Sequence, residues 1–79
     1  MANTMLADVT IHVDESLDQA ARAKLVDDLR SQEGVVSVQP SEKAPHLLIV
    51  RYDSGHATSQ KILKVVLGEK LHAELIGGL

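Results

Sequence analysis

The chain has no cysteine, no tryptophan, no phenylalanine and one tyrosine, Tyr52. Without cysteine there is no disulfide, no thiolate zinc site, no thiol nucleophile and no thiol redox couple. With so few large aromatic rings, a sheet built from this chain has no platform on which to stack bases, which argues against nucleic acid as a ligand. Basic residues do not predominate: eight Lys and Arg stand against eleven Asp and Glu, a net charge of −3. That balance disfavours nucleic acid and anionic membrane as main partners. Long apolar runs are also missing. The longest is Leu47-Leu48-Ile49-Val50, against the roughly 20 residues that span a bilayer. The first residues, Met1 to Ala7, show neither a basic segment nor a sustained apolar one, so the expected location is the cytoplasm. The phosphate-cradling GxxxxGK[ST], the dinucleotide GxGxxG and the nucleophile GxSxG are all absent, and nothing else points to an enzyme.

The sequence does contain enough to fold. At 79 residues, 44% hydrophobic and 24% charged, it is one ordered domain over 1–79 with a core from about residue 8 to 76. A chain of this size buries only about 60% of its unfolded surface, so the core is small.

Asp8-Val9-Thr10-Ile11-His12-Val13-Asp14 alternates strictly and predicts a half-buried strand. Ser16 through Gln19 has capping-box spacing and predicts a helix start at Ser16. Leu17, Ala21, Leu25 and Leu29, flanked by Ala20 and Val26, give that helix its apolar stripe, and Gly34 ends it. Val35-Val36-Ser37-Val38 is a second strand. Pro40 and Pro45 bracket a polar connection. His46 to Tyr52 is apolar on both faces, as a central strand is. A second helix runs from about Ala57 to Leu67 with Gly68 as its stop, and Leu71 to Ile76 is a last strand. The order βαββαβ predicts an α+β, ferredoxin-like two-layer sandwich. Its antiparallel sheet has order 4-1-3-2, with both helices on one face.

In that order, several segments resemble heavy-metal-associated domains. Gly34-Val35-Val36-Ser37-Val38 looks like their GVxxV signature, and Leu48-Ile49-Val50-Arg51-Tyr52-Asp53 like their VxVxYD strand and turn. Ile62, Val65-Val66, Gly68 and Ala73-Glu74-Leu75-Ile76 look like their closing helix and strand. The resemblance covers about Val9 to Ile76 and implies the ferredoxin-like fold and a metal-handling role. The family binds Cu(I), Zn(II) and similar ions through MxCxxC at the loop entering the first helix. Counting back from Gly34 without gaps, this chain has Asp18 and Ala21 at the two cysteine positions. A shift of one residue places Leu17 at the Met position, as a core plug. Neither register supplies a thiolate, and Cu(I) selects soft sulfur.

Met1 and Met5, near the chain's start, are poor substitutes, which leaves imidazole as the candidate ligand. The four histidines, His12, His46, His56 and His72, show no HxH or HxxxH spacing. The topology nevertheless brings His12, His46 and His72 to one end of three adjacent strands. Strand parity places His12 and His72 on the uncovered face as a cross-strand pair, with Asp14 or Glu74 as an oxygen ligand. His46 shares the parity of Leu48 and is expected on the helix side or at the rim. Imidazole with carboxylate suits a divalent transition metal such as Zn, Ni or Cu(II). Asp14, Glu15 and Asp18 form a small acidic group whose ordinary role is to favour the helix dipole.

The uncovered face offers a second lead. Leu47, Ile49 and Arg51 project from it, and an apolar sheet patch of this kind suits a homodimer or a protein partner. The expectation is a non-enzymatic, metal-handling-like domain, possessing histidines and no cysteine site. The alternative is an interaction or dimerisation module that works without metal.

Overall fold

β-Branched residues at alternating positions, and two amphipathic stretches between them, resolve into six elements in the computed structural model, which describes residues 5–41 and 43–78. They are β1 (Leu6–Val13), α1 (Gln19–Arg30), β2 (Val35–Pro40), β3 (Leu47–Asp53), α2 (Ser59–Gly68) and β4 (Ala73–Gly78). The sheet order is β2-β3-β1-β4, with every neighbouring pair antiparallel. This is the expected ferredoxin-like order, read from the other edge.

Alternation decides which residues meet the helices. Val9, Ile11 and Val13 of β1 and Leu48, Val50 and Tyr52 of β3 are buried. Val9 lies opposite Val50 and Ile11 opposite Leu48. These side chains share one core with Leu25, Val26 and Leu29 of α1 and Ile62 and Val66 of α2. Burying an aliphatic side chain of this kind contributes about 1.5–3 kcal/mol, so a dozen or so such residues carry the fold. Of the stripe predicted for α1, the C-terminal part is buried. Ala20 and Ala21, in the first turn of α1, are exposed. Lys24 ties the helices together, its Nζ lying 3.1 Å from both Asp28 Oδ2 and Glu69 Oε1.

Helix starts and stops differ from expectation in detail. Asp18, not Ser16, caps α1, and Thr58 caps α2. Leu17 turns inward against the core, which keeps Ser16 and Leu17 out of the helix and passes the cap to the next short polar side chain. Gly34 has φ +89°, and a Cβ there would lie 2.8 Å from Ala57 Cβ. After α2 the left-handed position is taken by Lys70, at φ 63°, rather than by Gly68, which is still helical.

Candidate functional site

The loop entering α1 is closed on itself. Asp18 Oδ1 accepts from the Ala21 backbone N–H at 2.7 Å. These are the two positions that the ungapped alignment assigns to thiolates. Here one supplies a carboxylate already engaged as a helix cap, and the other a methyl group. Leu17 is half-buried and packs on the core, the placement expected of the plug in the shifted alignment.

Past the end of β1 the backbones of three strands are stitched together. The Val13 N–H donates to His46 O at 2.8 Å, and the Asp14 N–H donates to His72 O at 2.8 Å. This fixes three histidines around one edge, as the topology predicts, but with different pairings. The β4 partner of His12 is Glu74, and its β3 partner is Leu47. His72 lies outside β4, which begins at Ala73. The expected cross-strand pairing of His12 with His72 is therefore replaced by His12 opposite Glu74. The reason is that Leu71 packs on the core as a coil residue, not as the first residue of the strand.

His12 presents its ring to the open face with its side chain 36% exposed, and Asp14 Oδ1 lies 3.1 Å from its Nδ1. Nδ1 itself is buried and makes no hydrogen bond of acceptable geometry, so the Asp14 contact is a close approach only. His46 stacks on it. The ring centroids are 5.8 Å apart and the planes 25° from parallel. His46 Nδ1 lies 2.8 Å from Val13 O. His46 precedes β3, after Pro45, at the rim of the sheet, where strict alternation no longer applies.

His72 is held by Glu15, whose expected role is to favour the dipole of the first helix. The Glu15 carboxylate accepts from the His72 backbone N–H at 2.8 Å and meets the ring Nδ1 at 2.7 Å. The ring bond to Glu15 raises the His72 pKa, and the His72 ring and backbone bonds lower that of Glu15. His72 is otherwise solvated, its side chain 83% exposed. Asp14 and Glu74 are exposed. Among the described residues, no group of three or more His, Asp or Glu side chains is arranged to hold a metal ion.

On the uncovered sheet face, Ile49 is 41% exposed, and Leu6 and Ile76 are about half exposed at 52% and 51%. Arg51 Nε donates to Asp8 Oδ1 at 2.9 Å, so the guanidinium spans β3 and β1 instead of standing free. No described helix is long and apolar enough to cross a membrane.

No protein-family model and no curated protein matches the sequence. Solved structures do match in fold. Oxidized MerP from Ralstonia metallidurans superposes with a TM-score of 0.82 at 18% identity, over 92% of this chain and 100% of that one. The N-terminal domain of a potential copper-translocating P-type ATPase from Bacillus subtilis, in its Cu(I)-loaded state, gives 0.83 at 17% identity, over 95% and 92%. A yeast copper transporter domain gives 0.80 at 20% identity, over 90% and 96%. The fold is thus the ferredoxin-like one of heavy-metal-associated domains. This chain carries it without cysteine.

Proposed function

We propose that this is a non-enzymatic domain of the metal-handling kind that engages a divalent transition metal, Zn, Ni or Cu(II), at the end of β1. The observation that carries the reading is His12. Its buried Nδ1 has no hydrogen bond, a carboxylate oxygen of Asp14 lies 3.1 Å away, and Glu74 faces it across the β1–β4 ladder. His72 reaches the same edge through its carbonyl, which accepts the Asp14 N–H; in the proposed ligand set of His12, Asp14, Glu74 and His72, its ring turns from Glu15 to the ion when the metal binds. Similar folds that hold Cu(I) support metal handling in general. The donor set here favours a borderline divalent ion over Cu(I).

A second reading rests on the open face. Leu47, Ile49 and Arg51, with the half-exposed Leu6 and Ile76, suit self-association or a protein partner. One set of samples tests both readings. Isothermal titration with Zn(II), Ni(II) and Cu(II) is expected to show binding to the wild type and its loss in His12→Ala. Heat indistinguishable from buffer for all three ions would remove the metal reading. Light scattering on the same protein, with Ile49→Asp as control, is expected to show a concentration-dependent dimer that the variant abolishes. A strict monomer at high concentration would remove the second reading.

A further inference from the structure

We propose that the partner of the open sheet face is a second copy of this chain, packed about a two-fold axis that runs along the strands between β1 and β3. Asp8 of each copy then lies over Arg51 of the other. The inference rests on the second reading above, association through the open face, and makes it specific.

The register of the two central strands leads to it. Alternation buries Val9 and Ile11 of β1 and Leu48 and Val50 of β3, so Asp8, Thr10, Ile49 and Arg51 belong to the open face. In the ladder Asp8 stands opposite Arg51, and Thr10 opposite Ile49. A two-fold axis along the seam between these strands exchanges β1 with β3. It lays each cross-strand pair over the same pair reversed, Asp8 over Arg51 and Thr10 over Ile49, with no shift of level. Facing sheets pack with their strands aligned to within about 30°, and this axis gives that arrangement. An axis across the strands at the level of Asp8 and Arg51 would instead set like charge on like.

The charges agree. Arg51 Nε donates to Asp8 Oδ1 at 2.9 Å, and among the described residues this single contact is the only one that either side chain makes with a charged partner. A guanidinium has five N–H donors and a carboxylate two acceptor oxygens, so most of the pair's capacity is unused within one copy. Both side chains are half exposed. A reversed copy of the same pair supplies the complement, guanidinium N–H groups for each Asp8 Oδ2, in a ring of alternating charge. Beside that ring the face is apolar, with Ile49, Leu6 and Ile76 exposed. The sheet is four strands wide, and its longest strand has eight residues. At about 4.8 Å per strand and about 3.4 Å per residue, the face measures roughly 500 Å² per copy. That is just under the roughly 600–1,000 Å² per partner of a standard contact, so the dimer is reversible and depends on concentration.

The test is sedimentation equilibrium on Asp8→Arg and Arg51→Asp, each alone and then mixed. Either variant alone sets four like charges together and is expected to weaken self-association at least about tenfold. Mixed in equal amounts, the two restore opposite charges across the axis and are expected to form a heterodimer of about wild-type affinity. Both variants keep a net negative charge, so bulk attraction does not bring them together. Variants that associate alone as the wild type does, or a mixture that stays monomeric, would overturn the inference. Loss of the dimer in Ile49→Asp would then leave the open-face reading intact. A strictly monomeric wild type would remove both. Where a variant folds poorly, the wild type decides. In a mixture of isotope-labelled and unlabelled chains, NOEs between copies are expected from the Ile49 methyls to the Thr10 methyl, and a dimer without them would overturn the axis.

Discussion

The two ends of the sheet each hold a histidine against a carboxylate, and they are built in opposite ways. At one end, His56 Nδ1 lies 2.9 Å from Asp53 Oδ2, three residues away in sequence. The same carboxylate accepts the Gly55 N–H at 2.9 Å, and the Asp53 N–H donates to Gly34 O at 2.7 Å. Every partner there is local or backbone, and the left-handed Gly34 sits hard against Ala57. At the other end, Glu15 and His72 are 57 residues apart. The groups meeting there are side chains from β1, the connection before β3 and the approach to β4. The first end closes a turn. The second joins segments far apart in sequence and leaves the His72 side chain 83% exposed. A histidine beside an acid is thus a structural clasp in one place and a candidate ligand group in the other, and the surrounding backbone distinguishes them.

Breaking the closed end should have the largest effect. Gly34→Ala places a side chain at positive φ and drives its Cβ to within 2.8 Å of Ala57 Cβ. Urea unfolding is expected to show a loss of about 2 kcal/mol or more. An unchanged midpoint would mean that the turn is loosely packed. A smaller effect is expected at the loop entering α1. Asp18→Ala removes the bond to the Ala21 N–H and should cost about 1 kcal/mol, the usual value of an N-cap. It should leave Zn(II) affinity unaltered. Loss of metal binding in this variant would move the site from the end of β1 to the first loop.

The smallest effect separates the two clasps by pH. The His72 pKa is raised by Glu15, so its contribution to stability is complete below the ordinary histidine value of about 6.5 and is lost as pH rises through the folded value. The Glu15 pKa is lowered, chiefly by His72. Its contribution is complete above about 4.5, its ordinary value, and is lost as pH falls through the folded value. The pair therefore contributes most between those two ordinary values. The Asp53 pKa is lowered first by the Gly55 N–H, which does not titrate, and second by His56. Its contribution should persist at pH 8. Unfolding at pH 6 and pH 8 should show the penalty of Glu15→Gln shrinking at the higher pH while that of Asp53→Ala is largely kept. Equal penalties at both values for Glu15→Gln would show that its bond to the His72 backbone, not to the ring, is what matters.

The sequence carried the fold well because the alternation of Val9, Ile11 and Val13 and the two-sided apolar run around Leu48 to Val50 are local patterns with one economical solution. Element ends were less legible. Ser16 and Asp18 are both good caps, and what chose between them was the inward turn of Leu17, a tertiary contact. The candidate site was legible only as a location. That three histidines share one edge follows from topology. That His46 stacks on His12, and that Glu15 takes His72, depends on where β3 and β4 begin. Pro45 lies just before β3 and the left-handed Lys70 just before β4, and neither leaves a periodic trace.

The edges of the sheet constrain how copies of this domain can meet. β2 is an outer strand, its ladder slips register between Val35 and Ser37, and it ends at Pro40, which has no N–H to donate. On the opposite edge, the pairing of β4 slips beside Thr10 and Ile11. Both rims are therefore poor templates for an added strand, the usual protection of a sheet against fibril growth. Between these two guarded rims, the face bearing the 41% exposed Ile49 is the broad apolar surface that stays open.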